Sequence, residues 1–423
     1  MLEGFRKYLD MAHSPYHAVA GLAEALDQAG YACLQESDDW ALAPGGKYYL
    51  IRGGSALVAF RIPTDTPKGF VMAAAHTDRP GFKLKENGEL TGKYTRLATE
   101  KYGGMIMSTW MDRPLSLAGR VMVETETGVS GRLVDVDQDL LVIPSVAIHL
   151  NRKVNEGYEW NPAVDTLPLL GGENAAGKLG AALEQAAGGK ILGSDLYLYL
   201  RQESRVCGLD GEYICAQGLD DLMCAWCCTQ GFMDSRTGGS VPVLCVFDSE
   251  EVGSNSAQGA CSDLLQSVLA RICGACGWQL ERLLSRSIMI SADNAHAQHP
   301  NHPELSDSTN APLINGGVVL KFNANLRYAT DGVAAALLRK LGQKADVPVQ
   351  TYYNRADLPG GSTLGSLSLA HVAVPTADIG VAQLAMHSAW ETAGTRDVEY
   401  LTKLMQTYFG STLDVTAENN YTI

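Results

Sequence analysis

The sequence predicts an α/β protein in which a mixed sheet is flanked by helices and a mainly β domain is inserted into the chain. Two observations predict this architecture. Helical and β-rich stretches alternate near both ends of the chain, which is typical of a sheet covered by helices. Between residues 92 and 210, short alternating runs joined by Gly-, Asn- and Asp-rich turns replace that alternation. We therefore expect a main domain built from residues 1–91 and 211–423 and an inserted, β-rich domain at residues 92–210.

The first 80 residues predict a helix followed by strands. Apolar positions recur at helical spacing over residues 5–30, and the Ser14-Pro15 pair suits the first turn of a helix. Three β-rich runs separated by Gly and Pro then predict strands at 48–51, 56–62 and 70–75. The last of these runs ends at a polar cluster, residues 76–78, and such a break after a strand is how α/β enzymes present catalytic groups.

Beyond residue 210 the alternation of helix and strand returns. Helices are predicted at 219–232, 257–273, 331–343 and 397–409. Strands are predicted at 241–247, 286–292 and 371–378.

The composition excludes several classes of protein. The chain has 423 residues, 46% hydrophobic and 19% charged, as in a globular protein of two or three domains. Its 33 Lys+Arg against 47 Asp+Glu give a formal net charge of −14 with no basic block, so we expect no nucleic-acid partner. Apolar runs fall far short of the roughly 20 residues that span a bilayer, so we expect no membrane helix.

The N-terminus and the cysteines predict a cytoplasmic protein. Asp10 and His13 interrupt the apolar stretch that a secretory signal needs. The ten cysteines lack the even spread of a disulfide framework, which favours reduced thiols. Cys224, Cys227 and Cys228 could form a metal or redox site with the pair at 273 and 276, but on an apolar helix they are more typical of core packing.

Polar clusters that contain metal-ligand side chains follow predicted strands or begin predicted helices. They offer imidazole and carboxylate groups but no thiolate, which suits two divalent ions, with zinc expected and manganese or cobalt as alternatives. Singly, each cluster is more typical of a helix cap or a solvated surface, but together they would be costly to bury unless paired or metal-bound. The clusters are HTD at 76–78, LDDL at 219–222, DSEEVGS at 248–254, SADNAH at 291–296 and His387.

The adjacent carboxylates Glu250 and Glu251 predict hydrolysis of an amide bond. On a turn, one of the two side chains can bind metal while the other remains free as a base. A divalent ion lowers the pKa of bound water to about 7, and a nearby carboxylate can pass the proton of that water to a leaving amine. The short carboxylate of Asp220 is suited to bridging two ions.

Eight segments together resemble the successive signatures of the M18 metallopeptidases, the aspartyl aminopeptidase family, in family order from about residue 12 to about residue 410. The resemblance implies a zinc aminopeptidase-like catalytic domain at 1–91 and 211–423, with the insertion as an oligomerisation domain. The segments are AAAHTDRPGFKLK, YGGMIMSTWMDRPLSLAGRV, LLVIPSVAIHLNR, VFDSEEVGSNSAQGA, SADNAHAQHPNHPE, NANLRYATDG, GGSTLG and QLAMHSAWETAGTRDVEYL.

The resemblance also implies a role for each candidate residue of the metal site. Glu250 would be the general base that activates the water nucleophile, and Asp78 would fix the tautomer of the first histidine ligand. Two metal ions per subunit would share Asp220. The remaining ligands would be His76 and Asp293 for one ion and Glu251 and His387 for the other.

Further roles follow from the same resemblance. His149 of a neighbouring subunit would reach into the active site and stabilise the oxyanion, within a shell of twelve subunits. His296 and His299 would line the substrate pocket. The substrates would be peptides with a free N-terminus, with a preference for N-terminal Asp or Glu. Arg355 could grip that acidic side chain, or it could be paired with Asp357.

The chain departs from the family pattern beside Asp220. The family often has Arg-Leu-Asp-Asn-Leu there, whereas this chain has Gly218-Leu219-Asp220-Asp221-Leu222. The missing arginine changes the contacts beside Asp220, and the extra carboxylate of Asp221 could compete for metal or alter the charge of the site. Two alternatives remain open: another dinuclear amidohydrolase, such as an N-acyl amino acid deacylase, and a non-catalytic assembly protein of the same fold.

Overall fold

The computed structural model describes residues 1–417 and 420–423. In this part of the chain the helices are α1 (Leu2–Leu9), α2 (Pro15–Gln28), α3 (Lys178–Ala187), α4 (Leu219–Asp234), α5 (Leu264–Cys276), α6 (Leu280–Leu284), α7 (Gly332–Ala345), α8 (Leu364–Ser368) and α9 (Thr395–Phe409). None of these helices is long and apolar enough to cross a membrane.

The strands form two main sheets and a further sheet of two strands. They are β1 (Ala32–Leu34), β2 (Lys47–Arg52), β3 (Ala56–Arg61), β4 (Phe70–His76), β5 (Gly81–Leu90), β6 (Tyr94–Tyr102), β7 (Leu115–Thr125), β8 (Gly128–Asp135), β9 (Leu169–Gly172), β10 (Ile191–Leu200), β11 (Arg205–Cys207), β12 (Tyr213–Ala216), β13 (Val241–Phe247), β14 (Ile288–Ala292), β15 (Ala295–His296), β16 (Val318–Phe322), β17 (Val349–Tyr353), β18 (Thr376–Leu384), β19 (Glu391–Gly394), β20 (Asp414–Ala417) and β21 (Asn420–Thr422).

The large sheet has helices on both faces. Its main path runs β1-β2-β3-β13-β4-β14-β18-β19-β12-β11, and β15, β16 and β17 pair beside β18. Alternate residues of β4 point to opposite faces, as a strand requires. Val71, Ala73 and Ala75 pack with α1, α2, α4, α7 and α9, whereas Phe70, Met72 and Ala74 pack with α5, α6 and α8. The predicted mixed sheet flanked by helices is therefore confirmed.

The centre of this sheet determines where functional side chains can meet. Strand β4 pairs in parallel with β13 on one side and with β14 on the other, and β14 pairs in parallel with β18. The carboxyl ends of these four strands consequently lie along one edge. In open α/β sheets, ligands bind beyond this edge.

The second sheet has the order β8-β7-β10-β5-β6-β9 and its own apolar core, which α3 helps to cover. It begins at Gly81 in β5, before the predicted boundary at residue 92, because β5 pairs with β6 and β10. It ends at Leu200 in β10, and the following hairpin of β11 and β12 pairs with β19 of the large sheet. The second sheet therefore spans residues 81–200, whereas the predicted insertion spans residues 92–210. The division into two domains stays a prediction.

Most of the predicted elements are confirmed, and three differ in extent. The predicted helix at 5–30 is two helices, because Ser14 caps α2 and its Oγ accepts the N–H of His17. The predicted helix at 257–273 begins only at Leu264. The strand prediction at 371–378 was wrong at its start: the N–H groups of His371 and Val372 bond back to Ser368 in a turn, so β18 starts at Thr376.

Candidate metal centre

The predicted metal ligands all lie near the carboxyl edge of the four central strands. His76 is the last residue of β4, and Glu251 and Asp293 follow β13 and β14. His387 follows β18, while Asp220 lies at the start of α4. Five residues that are up to 311 positions apart therefore meet because parallel strands end together.

Their ligand atoms form three groups in which all atoms lie within 4.8 Å of one another. One group is His76, Asp220 and Asp293, and a second is Asp220, Glu251 and His387. Asp220 belongs to both, as a carboxylate bridging two ions would. The third group, His76 with both Glu250 and Glu251, places the candidate base beside the same centre.

The donor set fits divalent metal ions. Asp220 Oδ1 and Glu251 Oε1 are buried and have no hydrogen-bond donor among the described residues. Removing the partner of a buried charge typically costs about 3–5 kcal/mol, so such oxygens favour a bound cation. Burial, together with the charges of nearby carboxylates, raises the pKa of Glu250 to about 8 and that of Asp293 to about 6. Imidazole and carboxylate ligands in this number are those of zinc sites.

Both histidines are oriented by hydrogen bonds to their Nδ1 atoms. His387 Nδ1 lies 2.7 Å from the carbonyl oxygen of Gly104. Its Nε2 then faces Asp220 Oδ2 at 3.4 Å and Glu251 Oε1 at 3.3 Å. His76 Nδ1 lies 3.1 Å from the carbonyl oxygen of Asp78, and its Nε2 is 3.8 Å from Asp220 Oδ1. We assign the Nε2 atoms as the ligands from these bonds.

The buried carboxylate of Asp78 holds the two adjacent glutamates. Asp78 Oδ1 accepts the backbone N–H of Glu250 at 3.0 Å, and Oδ2 accepts that of Glu251 at 3.1 Å. The hydroxyl of Tyr102, at the end of β6 in the second sheet, donates to Oδ2 at 2.7 Å. Hydrogen bonds to a charged group contribute about 1.5–3 kcal/mol each, so Asp78 fixes the turn that carries the candidate base as well as the ring of His76.

Glu391 has a similar role that the sequence analysis missed. Its Oε2 accepts the backbone N–H of Asp220 at 3.1 Å, and its Oε1 accepts that of His387 at 2.7 Å. Burial and the charge of Asp220 raise the pKa of Glu391 to about 8. The available signal in the sequence was a glutamate four residues after His387, between Trp390 and Thr392.

Lys321 was also missed. This lysine is almost completely buried in β16 and donates to the carbonyl oxygens of Asp293 at 2.7 Å and Asn294 at 3.2 Å. Its Nζ is 3.5 Å from Asp293 Oδ2. A charged residue inside the apolar run VVLKF was the available signal, because a buried lysine requires polar partners.

Asp221, next to the shared Asp220, does not belong to any of the three ligand groups. It is fully buried, and its Oδ2 accepts the backbone N–H of His76 at 3.1 Å. Burial raises its pKa. The extra carboxylate therefore supports the end of β4 in this structure.

The candidate pocket residues lie beside the centre. A cavity of about 310 Å³ is lined by His296, His299 and Arg355, and it extends to Met386, the neighbour of His387. The guanidinium of Arg355 is already paired with Asp357, with Nε 2.8 Å from Oδ1 and Nη2 2.9 Å from Oδ2.

His149 lies apart from these groups in this single chain. It is on an exposed turn of the inserted region. No described residue of the three ligand groups comes from this turn.

The three cysteines of α4 are buried, and two of them have hydrogen-bond partners of their own. Cys224 Sγ donates to Asn294 Oδ1 at 3.2 Å, and Cys227 Sγ donates to the carbonyl oxygen of Val398 at 3.5 Å. None of the ten cysteines belongs to a metal-ligand group among the described residues, and all are free. This arrangement favours core packing for the α4 cysteines.

Comparisons with known proteins cover almost the whole chain. A profile of the family described as Aminopeptidase I zinc metalloprotease (M18) matches residues 8–409. The Probable M18 family aminopeptidase 2 of Clostridium novyi is 38% identical over 410 residues, which are 93% of this chain and 95% of the relative.

Solved structures give the same result. A chain in the cryo-EM structure of the Ape4 and Nbr1 complex has a TM-score of 0.93 at 36% identity, covering 97% of this chain and 85% of that chain. The structure of the S. cerevisiae mApe1 dodecamer has a TM-score of 0.85 at 27% identity, covering 96% of each chain.

We predict that Glu391→Gln weakens metal binding about 10- to 100-fold, as is typical when a group that orients ligands is lost. The amide would present a donor where the carboxylate accepts two backbone N–H groups. The measurement is metal retention against a competing chelator, with circular dichroism to show that the fold persists. Glu399→Gln, at an exposed position of α9, is the matched control. Unchanged metal affinity in Glu391→Gln would contradict this role.

Proposed function

The chain belongs to the M18 family of zinc aminopeptidases, and from this premise we propose that it removes the N-terminal residue of peptides with a centre of two divalent ions. The observation that carries the proposal is the position of Asp220, which lies in both the His76–Asp293 group and the Glu251–His387 group. A carboxylate shared in this way is the bridging ligand of a two-metal site.

Zinc is the metal that we propose for both positions. When bound, the two ions supply Lewis-acid polarisation of the scissile carbonyl group and lower the pKa of a water molecule. The five proposed ligands would hold the ions, and their carboxylates would neutralise much of the charge. The buried oxygens of Asp220 and Glu251 that lack donors support this assignment.

We propose Glu250 as the general base. It lies in the group with His76 and Glu251, and its backbone N–H is held by Asp78. It is not needed to complete either of the two groups that share Asp220. Its carboxylate would therefore accept the proton of the attacking water and pass it to the leaving amine, as general acid–base catalysis requires.

We propose Arg355 as the group that favours an acidic N-terminal residue. It lines the cavity beside the metal centre and presents a planar guanidinium that can bind a carboxylate through two hydrogen bonds. Asp357 now occupies that position, so an acidic substrate side chain must displace it. The preference is then a competition between two carboxylates.

We propose a homo-oligomer, with the dodecamer of S. cerevisiae mApe1 as the precedent, in which His149 acts in the site of a neighbouring subunit. The exposed turn that carries His149 also exposes Val146, Ile148 and Leu150, and Leu150 is 83% exposed. Apolar side chains exposed together mark interaction surfaces. This turn could bring an imidazole to the oxyanion that forms in the neighbouring site.

Glu250→Gln tests the proposed base. We predict that kcat falls by about 10²- to 10⁴-fold while metal content stays the same, because the amide cannot accept the proton. The measurements are steady-state hydrolysis of aminoacyl-p-nitroanilides and metal analysis of the same samples. Glu281→Gln, at an exposed position of α6, is the control. Normal turnover by Glu250→Gln would eliminate Glu250 as the base.

Arg355→Met tests the acidic preference. We predict that kcat/KM for Asp- and Glu-p-nitroanilide falls about 10-fold, while the values for Leu and Ala substrates stay constant, because only acidic side chains lose a charged hydrogen bond. Asp357→Asn should change the Asp and Glu values in the opposite direction, because it releases the guanidinium. Equal effects on acidic and neutral substrates would contradict the role of Arg355. Hydrolysis of N-acylated substrates alone, by the unmodified protein, would indicate a deacylase.

Co-expression of two inactive variants tests the role of His149. Glu250→Gln and His149→Ala each disable every site alone, but a mixed assembly contains sites with Glu250 from one subunit and His149 from its neighbour. We predict recovery of about a quarter of wild-type activity for random mixing around a symmetric assembly. Glu250→Gln mixed with His76→Ala is the control, because both changes act within one chain. Equal activity in both mixtures would show that His149 does not act across subunits.

A further inference from the structure

A second cavity of about 480 Å³ lies where the first two helices, the second sheet and the segment before α4 meet. Its wall contains Leu9 of α1, His17 of α2, Tyr199 of β10 and Gln217 before α4, together with Arg79. None of the five proposed metal ligands lines it. It is therefore a separate site, although Arg79 lies three residues after His76 and Gln217 three residues before Asp220.

The half-buried guanidinium of Arg79 has few partners. Its Nη1 donates to the carbonyl oxygen of Ala12 at 2.8 Å, which is the side chain's one hydrogen bond within residues 1–417 and 420–423. No carboxylate in the same residues lies within 4.0 Å of it. Desolvation lowers the pKa of Arg79 to about 10, although the charge of Glu391 acts in the opposite direction.

Two further donors in the wall are also unused. Gln217 Oε1 accepts the N–H of Leu200 at 2.8 Å, but its Nε2 is buried and has no acceptor among the described residues. His17 Nδ1 is bonded to Ser14 Oγ at 2.8 Å, which leaves Nε2 for another partner. Arg79, Gln217 and His17 therefore place donor groups in the wall that have no acceptor among the described residues.

The carboxylates in the wall do not accept hydrogen bonds from these three side chains. Each of them has other donors, apart from Glu203, which is exposed at the rim. Asp135 is bonded to His13 and to the hydroxyl of Tyr199, Asp10 accepts the N–H and the hydroxyl of Ser204, and Asp137 is paired with Arg201.

Gly218 explains how the arginine reaches this position. A Cβ atom at Gly218 would lie 2.7 Å from Cδ and 2.9 Å from Nη1 of Arg79, and the φ of Gly218 is +69°. Arg79 thus occupies the space that a side chain at position 218 would fill. The Arg-Leu-Asp-Asn-Leu pattern has an arginine at the position of Gly218. In this chain the guanidinium beside the cavity belongs instead to Arg79, which follows β4.

We propose that this cavity binds a small organic oxyanion, a carboxylate or a phosphate ester, through Arg79 with His17 and Gln217. The guanidinium can hold two oxygens of such a group, and the imidazole and amide can donate to the others. The volume is within the range of small-molecule sites and exceeds what one inorganic phosphate would fill, so the oxyanion belongs to an organic molecule.

Isothermal titration of the metal-loaded protein with succinate and with inorganic phosphate tests the proposal. We expect saturable binding of one ligand per chain, and the tighter of the two ligands identifies the carboxylate or phosphate class. Arg79→Met and His17→Phe should each weaken binding at least 10-fold. His302→Ala, at an exposed histidine outside this cavity, should leave it unchanged.

A repeat with metal-depleted protein separates this cavity from the metal centre. Binding in the cavity should persist, because no metal ligand lines it, whereas an oxyanion bound to the ions should be lost. Circular dichroism first shows which variants are folded, and His17→Phe, at a half-buried position, remains informative if Arg79→Met does not fold. Three results would each overturn the proposal: no saturable binding at millimolar ligand, binding that both variants leave unchanged, and binding that is lost on metal removal.

Discussion

The constraint on which the structure depends is the burial of negative charge at the carboxyl edge of the central strands. Asp220, Glu251 and Asp293 are held there with Glu250 and Asp78, and Lys321 is the one lysine or arginine within 4.0 Å of any of these carboxylates in the part of the chain that the structure describes. The desolvation cost of such a cluster exceeds what one ammonium can offset. Two divalent ions would supply the missing charge at the edge where the parallel strands bring these carboxylates together.

Two carboxylates that do not join the ligand groups hold the centre in place. Asp78 binds the backbone of Glu250 and Glu251, and Glu391 binds the backbone of Asp220 and His387. The second sheet takes part as well, because Tyr102 donates to Asp78, and the carbonyl oxygen of Gly104, just after β6, orients the ring of His387. The second sheet thus helps to fix the side chains of the proposed metal centre.

The sequence predicted the parts of this arrangement that have local signals. Apolar runs ending in polar clusters located β4, β13 and β14, and those clusters contained His76, Glu251 and Asp293. Asp220 came from the cluster that begins α4, and His387 follows β18. Glu391 and Lys321 were missed because their roles depend on partners 171 and 28 residues away, which no local pattern shows. The start of β18 was misplaced because residues 371–375 are apolar enough for a strand while their backbone forms a turn. The pairing of Arg355 with Asp357 was left open by the sequence, since spacing does not determine where a long side chain points.

The most direct test of the central claim is the number and position of the metal ions. Crystals of the zinc-loaded protein, measured at the zinc absorption edge, would show the ions by anomalous scattering, and elemental analysis of the same preparation would count them. The shared position of Asp220 predicts two zinc peaks per chain, both bonded to that carboxylate, with His76 and Asp293 on one ion and Glu251 and His387 on the other. A single peak, or two peaks of which Asp220 contacts only one, would contradict the account.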